Sequence, residues 1–122
     1  MAGKFILTVD DSKTMRDMLL AALTEMGHRV IQANDGMLGL ESLQDQSPDV
    51  IITDINMPRL DGFGFIEEVR RDPRHRATPI LVLTTENHGS RKDRARRAGA
   101  TGWIVKPFDP VKLADAIRRV TA

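Results

Sequence analysis

The hydrophobic and polar positions of this chain alternate between two periods. Short apolar runs rich in β-branched residues are separated by longer stretches with a helical repeat. Phe5 to Val9, Val50 to Thr53 and Ile80 to Thr85 read as strands covered on both faces. Arg29 to Ala33 alternates, with polar Gln32 between Ile31 and Ala33, which suits an edge strand. Gly102-Trp103-Ile104-Val105 is a second, short edge strand. Between them, Met15, Met18, Leu19, Ala22, Leu23 and Met26 form one helical stripe, capped by Ser12 and stopped at Gly27. Met37, Leu40 and Leu43 mark a shorter helix. Asp61-Gly62 opens a third, with Phe63, Ile66 and Val69 inward, and Asp72 to Arg76 reads as a polar loop. Ser90-Arg91-Lys92-Asp93 has capping-box spacing and opens a fourth, whose thin stripe of Ala95 and Ala98 predicts weak burial and a movable element. Asp109-Pro110 starts the last, with Val111, Ala114, Ile117 and Val120 inward.

Five strands alternating with five helices through short connections require parallel pairing and right-handed crossovers. Placing the most apolar strands centrally gives an α/β fold: a five-stranded parallel sheet of order 2-1-3-4-5, helices on both faces. No linker or repeat interrupts residues 1–122, so a single domain without an output domain is expected, and a monomer.

Composition narrows the chemistry. The chain has 122 residues, 18 Lys plus Arg against 17 Asp plus Glu, and no cysteine. A net charge of +1 points neither toward nor away from nucleic acid. Disulfides, thiolate zinc sites and cysteine nucleophiles are excluded. The leading run from Met1 to Leu7 is too short for a signal peptide, and no later run could span a bilayer, so a cytoplasmic domain without membrane insertion is expected.

Chemistry-bearing residues collect at the strand ends. The first strand ends in Asp10 and Asp11, the third in Asp54, the fourth in Thr84 and the fifth in Lys106. A parallel sheet puts all of these at one rim, where open α/β sheets bind ligands. Two carboxylates about 4 Å apart repel by roughly 4 kcal/mol at an effective dielectric of about 20. Three of them with one lysine leave excess negative charge, which a divalent cation relieves. Oxygen-only ligands favour Mg²⁺, and His28, His75 and His88 are too scattered for a zinc site. Mg²⁺, Lys106 and the Thr84 hydroxyl suit the oxygens of a transferring phosphoryl group, with Asp54 as nucleophile.

These residues resemble receiver domains of two-component response regulators over essentially the whole chain. The resemblance rests on Val9-Asp10-Asp11-Ser12, on Asp54 with Met57-Pro58 and Asp61-Gly62, on Thr84, and on Lys106-Pro107-Phe108. Thr84-Thr85-Glu86 and the run from Gly99 to Phe108 are similar to the stand-alone chemotaxis subgroup of the CheY type. The resemblance implies that Asp54 accepts phosphate from a histidine kinase, of the CheA type in that subgroup. It implies that Asp10, Asp11, Asp54 and the Asn56 carbonyl hold Mg²⁺, that Lys106 pairs with the phosphoryl group, and that Thr84 moves to bond it. Trp103 falls at the switch-aromatic position and would turn inward as Thr84 moves. Asn56 and Glu86 would tune self-dephosphorylation, and the Lys106-Pro107 bond would be cis. Catalysis would be confined to the chain's own phosphorylation and slow dephosphorylation. A phosphatase and the flagellar motor switch are implied as partners.

Two departures stand out. Tryptophan replaces the usual tyrosine at the switch position and is bulkier and only a donor. Thr85 exceeds the small residue common there. His88 reads as a surface residue. The basic fourth helix, with Arg91, Lys92, Arg94, Arg96 and Arg97, lacks an aromatic platform for nucleic acid. It reads as part of a docking surface for an acidic partner, together with the fifth strand and helix. Other readings are a phosphate sink with no motor target, a haloacid dehalogenase-type phosphatase, and a flavin module. The phosphatase needs an aspartate where Asn56 stands, and Asp10-Asp11 would repel a flavin phosphate.

Overall fold

A computed structural model describes residues 3–122. Met1 and Ala2, the start of the leading apolar run, lie outside the described residues. Five parallel strands form one sheet in the order β2-β1-β3-β4-β5. They are β1 (Phe5–Val9), β2 (Arg29–Ala33), β3 (Val50–Thr53), β4 (Ile80–Thr84) and β5 (Gly102–Val105). Five α-helices alternate with them: α1 (Lys13–Glu25), α2 (Gly36–Ser42), α3 (Gly62–Arg71), α4 (Gly89–Ala98) and α5 (Pro110–Val120). The expected architecture and strand order are those observed.

Strand alternation divides the core between the two faces of the sheet. Leu7, Val9, Ile51 and Val82 pack with Phe63, Phe65, Ile66 and Ala95, from α3 and α4. Ile6, Ile52, Leu81 and Leu83 pack with Leu19, Leu23, Leu113 and Ile117, from α1 and α5. Every residue of β3 and β4 is buried, which is why those strands read as unbroken apolar runs.

Gln32 earns its place on β2. Its amide donates to the buried Thr8 hydroxyl at 2.9 Å and to the Arg16 carbonyl at 2.8 Å, tying β2 to β1 and α1.

The helix stripes differ from the sequence reading in detail. Met18 and Met37 are each 47% exposed, on the flanks of α1 and α2 rather than inward. In α5 the covered face is Leu113, Ala116, Ile117 and Val120, while Val111 is 77% exposed. A strict three-residue step drifts by about 60° per step on an α-helix, so Val111 and Val120 face opposite ways. Helix α4 begins two residues earlier than the Ser90 box suggests. Its N-cap is His88, whose carbonyl accepts from the amides of Arg91 and Lys92, with no side-chain cap bond. Asp93 pairs with Arg96 instead of capping.

The segment read as a polar loop contains a 3-10 helix (Pro73–His75) that buries His75. His75 Nε2 donates to the Leu43 carbonyl at 2.9 Å. Arg70 stitches this segment to the end of α4. Its Nε and Nη2 donate to the Gly99 carbonyl at 3.0 and 2.8 Å. Its Nη1 reaches the carbonyls of His75, Arg76 and Thr78. Gly99 has φ +121°, and a Cβ there would stand 2.7 Å from Arg70 Cγ, so both the turn and the contact require glycine.

Candidate metal and phosphoryl site at the carboxyl rim

The carboxyl ends of β1, β3 and β5 bring four predicted residues together. Carboxylate oxygens of Asp10, Asp11 and Asp54 lie within 4.8 Å of one another. Asp10 and Asp54 are buried, and Asp11 is exposed at the lip. Lys106 Nζ sits between the buried pair, 2.8 Å from Asp10 Oδ2 and 2.8 Å from Asp54 Oδ2.

Local structure fixes each group. The Ser12 amide donates to Asp10 Oδ1 at 2.9 Å, and Arg16 Nη1 donates to the Asp10 carbonyl at 2.8 Å. The Ile55 amide donates to Asp54 Oδ1 at 2.7 Å. Gly62 allows α3 to close against this turn. A Cβ there would stand 2.3 Å from the Asp54 carbonyl oxygen. The Lys106–Pro107 peptide is cis, as the resemblance implied.

Electrostatics follows from one ammonium shared by crowded carboxylates. Burial pushes the Asp10 carboxyl above its ordinary value, against the lowering effect of Lys106 and the Ser12 amide, and the nearby Asp54 charge adds to the rise. Burial alone would lower the Lys106 ammonium, but its bonds to Asp10 and Asp54 outweigh burial and raise it. Three carboxylates against one ammonium leave a net charge deficit for a cation to fill. The donor set is all oxygen, open on the Asp11 side, and fits a hard divalent ion that keeps water ligands.

The remaining predicted residues form the rim. Thr84 is fully buried at the end of β4, and its hydroxyl lies 3.4 Å from the Glu86 amide as acceptor. Asn56 is exposed on the β3–α3 loop, and its Nδ2 reaches Glu86 Oε1 at 3.4 Å. Trp103 is half-buried against the α3–α4 side of the core, and its Nε1–H donates to the Glu86 carbonyl at 3.1 Å. An inward turn would therefore start from an indole already partly covered and would break that bond. His88 is exposed at the start of α4.

Two arginines near the site carried no recognisable signal in the sequence. Arg59 has φ +68°, a left-handed conformation uncommon outside glycine. It is held there by a two-pronged pair with Asp35, Nε to Oδ2 and Nη2 to Oδ1, each 3.0 Å. Asp35 also caps α2 through the Leu38 amide at 2.9 Å, and that bond, with Arg59, holds its carboxyl below the usual range. Arg91 from α4 reaches Asn56 and Glu86 at the rim. No local spacing marks either contact.

Residues 6–118 match the family model described as the response regulator receiver domain. The chain is 36% identical over 116 residues to a probable chemotaxis protein CheY of Rhizobium etli, covering 94% of this chain and 90% of that one. It is 37% identical over 115 residues to a probable transcriptional regulator, ycf27, of Guillardia theta, but spans only 44% of that protein's length. The crystal structure of chemotaxis protein CheY4 of Vibrio cholerae superposes with a TM-score of 0.93 at 43% identity, covering 98% of this chain and 99% of that one. The receiver domain of the sensor histidine kinase PA1611 of Pseudomonas aeruginosa superposes with a TM-score of 0.91 at 30% identity, covering 98% of each chain. Its structure holds a magnesium ion in the active-site cleft.

Proposed function

The chain belongs to the response regulator receiver domain family, and from that premise we propose that it is a phosphorylation-controlled binding switch whose acceptor is Asp54. The observation that carries the reading is the shared ammonium: Lys106 Nζ bonded to both Asp54 and Asp10 beside the third carboxylate, Asp11.

A carboxylate oxygen of Asp54 attacks the phosphorus of a phosphohistidine on a histidine kinase. The new oxygen–phosphorus bond forms as the phosphorus–nitrogen bond breaks, and its electron pair stays on the imidazole. Asp10, Asp11, Asp54 and the Asn56 carbonyl would hold magnesium. Charge neutralisation on the phosphoryl oxygens is what that ion supplies when bound. Lys106 leaves its pairing with Asp54 Oδ2 and meets a phosphoryl oxygen. Thr84 meets another through its hydroxyl. Glu86 and Asn56, at the mouth, set how readily water reaches the phosphorus.

The output is binding, as in signalling proteins rather than enzymes that turn over a substrate. Thr84, the Glu86 carbonyl and Trp103 connect the site to β5, and β5 with α4 and α5 presents the docking surface. We take the donor to be a kinase of the CheA type and the target to be the flagellar motor switch, because chemotaxis regulators are among the relatives. A phosphate sink without a motor target is the second reading, favoured by the restraint on Trp103. Among the described residues no helix is long and apolar enough to cross a membrane, which fits a switch that diffuses between partners.

Trp103 is the one tryptophan, so its fluorescence reports the switch directly. Beryllofluoride with Mg²⁺ shifts that fluorescence in the wild type and leaves Asp54→Asn unchanged. The same shift in Asp54→Asn would remove the acceptor assignment.

A further inference from the structure

Helix α4 sends one side chain back to the mouth of the site. Arg91 Nη2 lies 3.5 Å from Asn56 Oδ1, and its Nε lies 3.7 Å from Glu86 Oε2. Asn56 Nδ2 closes the ring on Glu86 Oε1 at 3.4 Å. The guanidinium carbon sits 5.2 Å from the centre of the Phe63 ring, which supports it from below. Arg91 differs in this from Arg96, which pairs with Asp93 out in solvent. The Arg91 side chain is 34% exposed, and its Nε is buried with no hydrogen-bond partner among the described residues. It is built into the rim rather than left on the helix surface.

The rim position has a chemical consequence. In-line transfer puts the attacking oxygen and the leaving group on opposite sides of phosphorus. Asp54 is buried at the base of the site, while Asn56 is exposed at its lip. The leaving group therefore departs toward Asn56, Glu86 and Arg91. A bare Glu86 carboxylate there would repel an anionic leaving group, and the guanidinium cancels that charge.

We propose that Arg91 is a donor-selecting residue: docked on Asn56 and Glu86, it favours phosphoryl donors that release a carboxylate, the small acyl phosphates, over donors that release a neutral amine. The inference rests on Asp54 being the acceptor. With acetyl phosphate, a carboxylate oxygen of Asp54 bonds to phosphorus, the bridging phosphorus–oxygen bond breaks, and its electron pair leaves on acetate. With phosphoramidate, the phosphorus–nitrogen bond breaks and ammonia, already carrying its protons, departs neutral. The two donors deliver the same phosphoryl group to the same oxygen and differ in the charge that meets the rim.

The test is the ratio of the second-order rates of Asp54 phosphorylation by acetyl phosphate and by phosphoramidate, at fixed Mg²⁺ and ionic strength. Both rates come from one protein sample, so a general folding defect cancels. Arg91→Ala lowers the ratio about three- to fivefold, the upper part of the range for one partly exposed charge interaction. Arg91→Lys, which keeps the charge, holds it within about twofold of wild type on the same scale. A wild-type ratio in Arg91→Ala, with Asp54 labelled by both donors, overturns the role of Arg91 and leaves the acceptor standing. Labelling of Asp54 by neither donor in the wild type overturns the acceptor, and this inference with it.

Discussion

Lys106 Nζ lies 2.8 Å from Asp54 Oδ2 across 52 positions of sequence. The contact exists because β3 and β5 flank β4 in one parallel sheet and end at the same rim. The ammonium neutralises the Asp54 carboxylate and, under the proposed function, stands where a phosphoryl oxygen would arrive. Lys106→Ala is expected to bind Mg²⁺ at least as tightly as wild type, because a competing cation is gone. It is expected to lose the Trp103 fluorescence shift on phosphorylation. Mg²⁺ titration followed by acetyl phosphate addition measures both, and a wild-type shift rejects the coupling role of Lys106.

Asp10 gives the pH dependence. Burial, opposed by Lys106 and the Ser12 amide, leaves its folded-state pKa above the unfolded value. The favourable contribution is then complete below the unfolded pKa and is lost as pH rises through the folded one. At neutral pH without metal the ionised group costs stability. Asp10→Asn should therefore melt a few degrees higher than wild type at pH 7 without Mg²⁺. The difference should close only below about pH 3, where the carboxyl is protonated in both the folded and the unfolded state. Added Mg²⁺ should raise the melting temperature of wild type and leave Asp10→Asn nearly unmoved. Thermal melts across pH, with and without Mg²⁺, check the sign, and a lower melting temperature for Asp10→Asn contradicts it.

Arg70 fixes the far end of α4 through the Gly99 carbonyl and holds three further carbonyls before β4. Arg70→Ala leaves these acceptors without their charged donor. It is expected to cost about 1.5–3 kcal/mol, the range for hydrogen bonds to charged groups. Urea denaturation measures the loss. Faster amide exchange should concentrate in α4, whose buried contact with the core is Ala95.

The sheet was legible because its central strands are covered on both faces and so are written as continuous apolar runs. Asp10 and Asp54 directly follow such runs and Thr84 ends one, while Asp11 follows Asp10 and Lys106 follows the short edge strand β5, so the strand ends alone point to these five as candidates. A count in threes departs from a period of 3.6, which is why the sequence pattern points Val111 inward while the folded helix exposes it. His75 carries no local sign of burial, since its ring meets the Leu43 carbonyl 32 residues away. The arginines were the least legible. Arg59, Arg70 and Arg91 each reach a partner between 24 and 35 positions away, and a long flexible cation gives no periodic sign of where its head will rest. Arg91 was hidden further by its basic neighbours, which make the whole of α4 read as a solvated face.

The most direct measurement is the site of phosphoryl attachment. After incubation with acetyl phosphate and Mg²⁺, mass spectrometry should find one phosphoryl group on the peptide spanning 50–58, on Asp54, and none on Asp54→Asn. A phosphoryl group on another residue of the wild type, or equal incorporation into Asp54→Asn, would contradict the account.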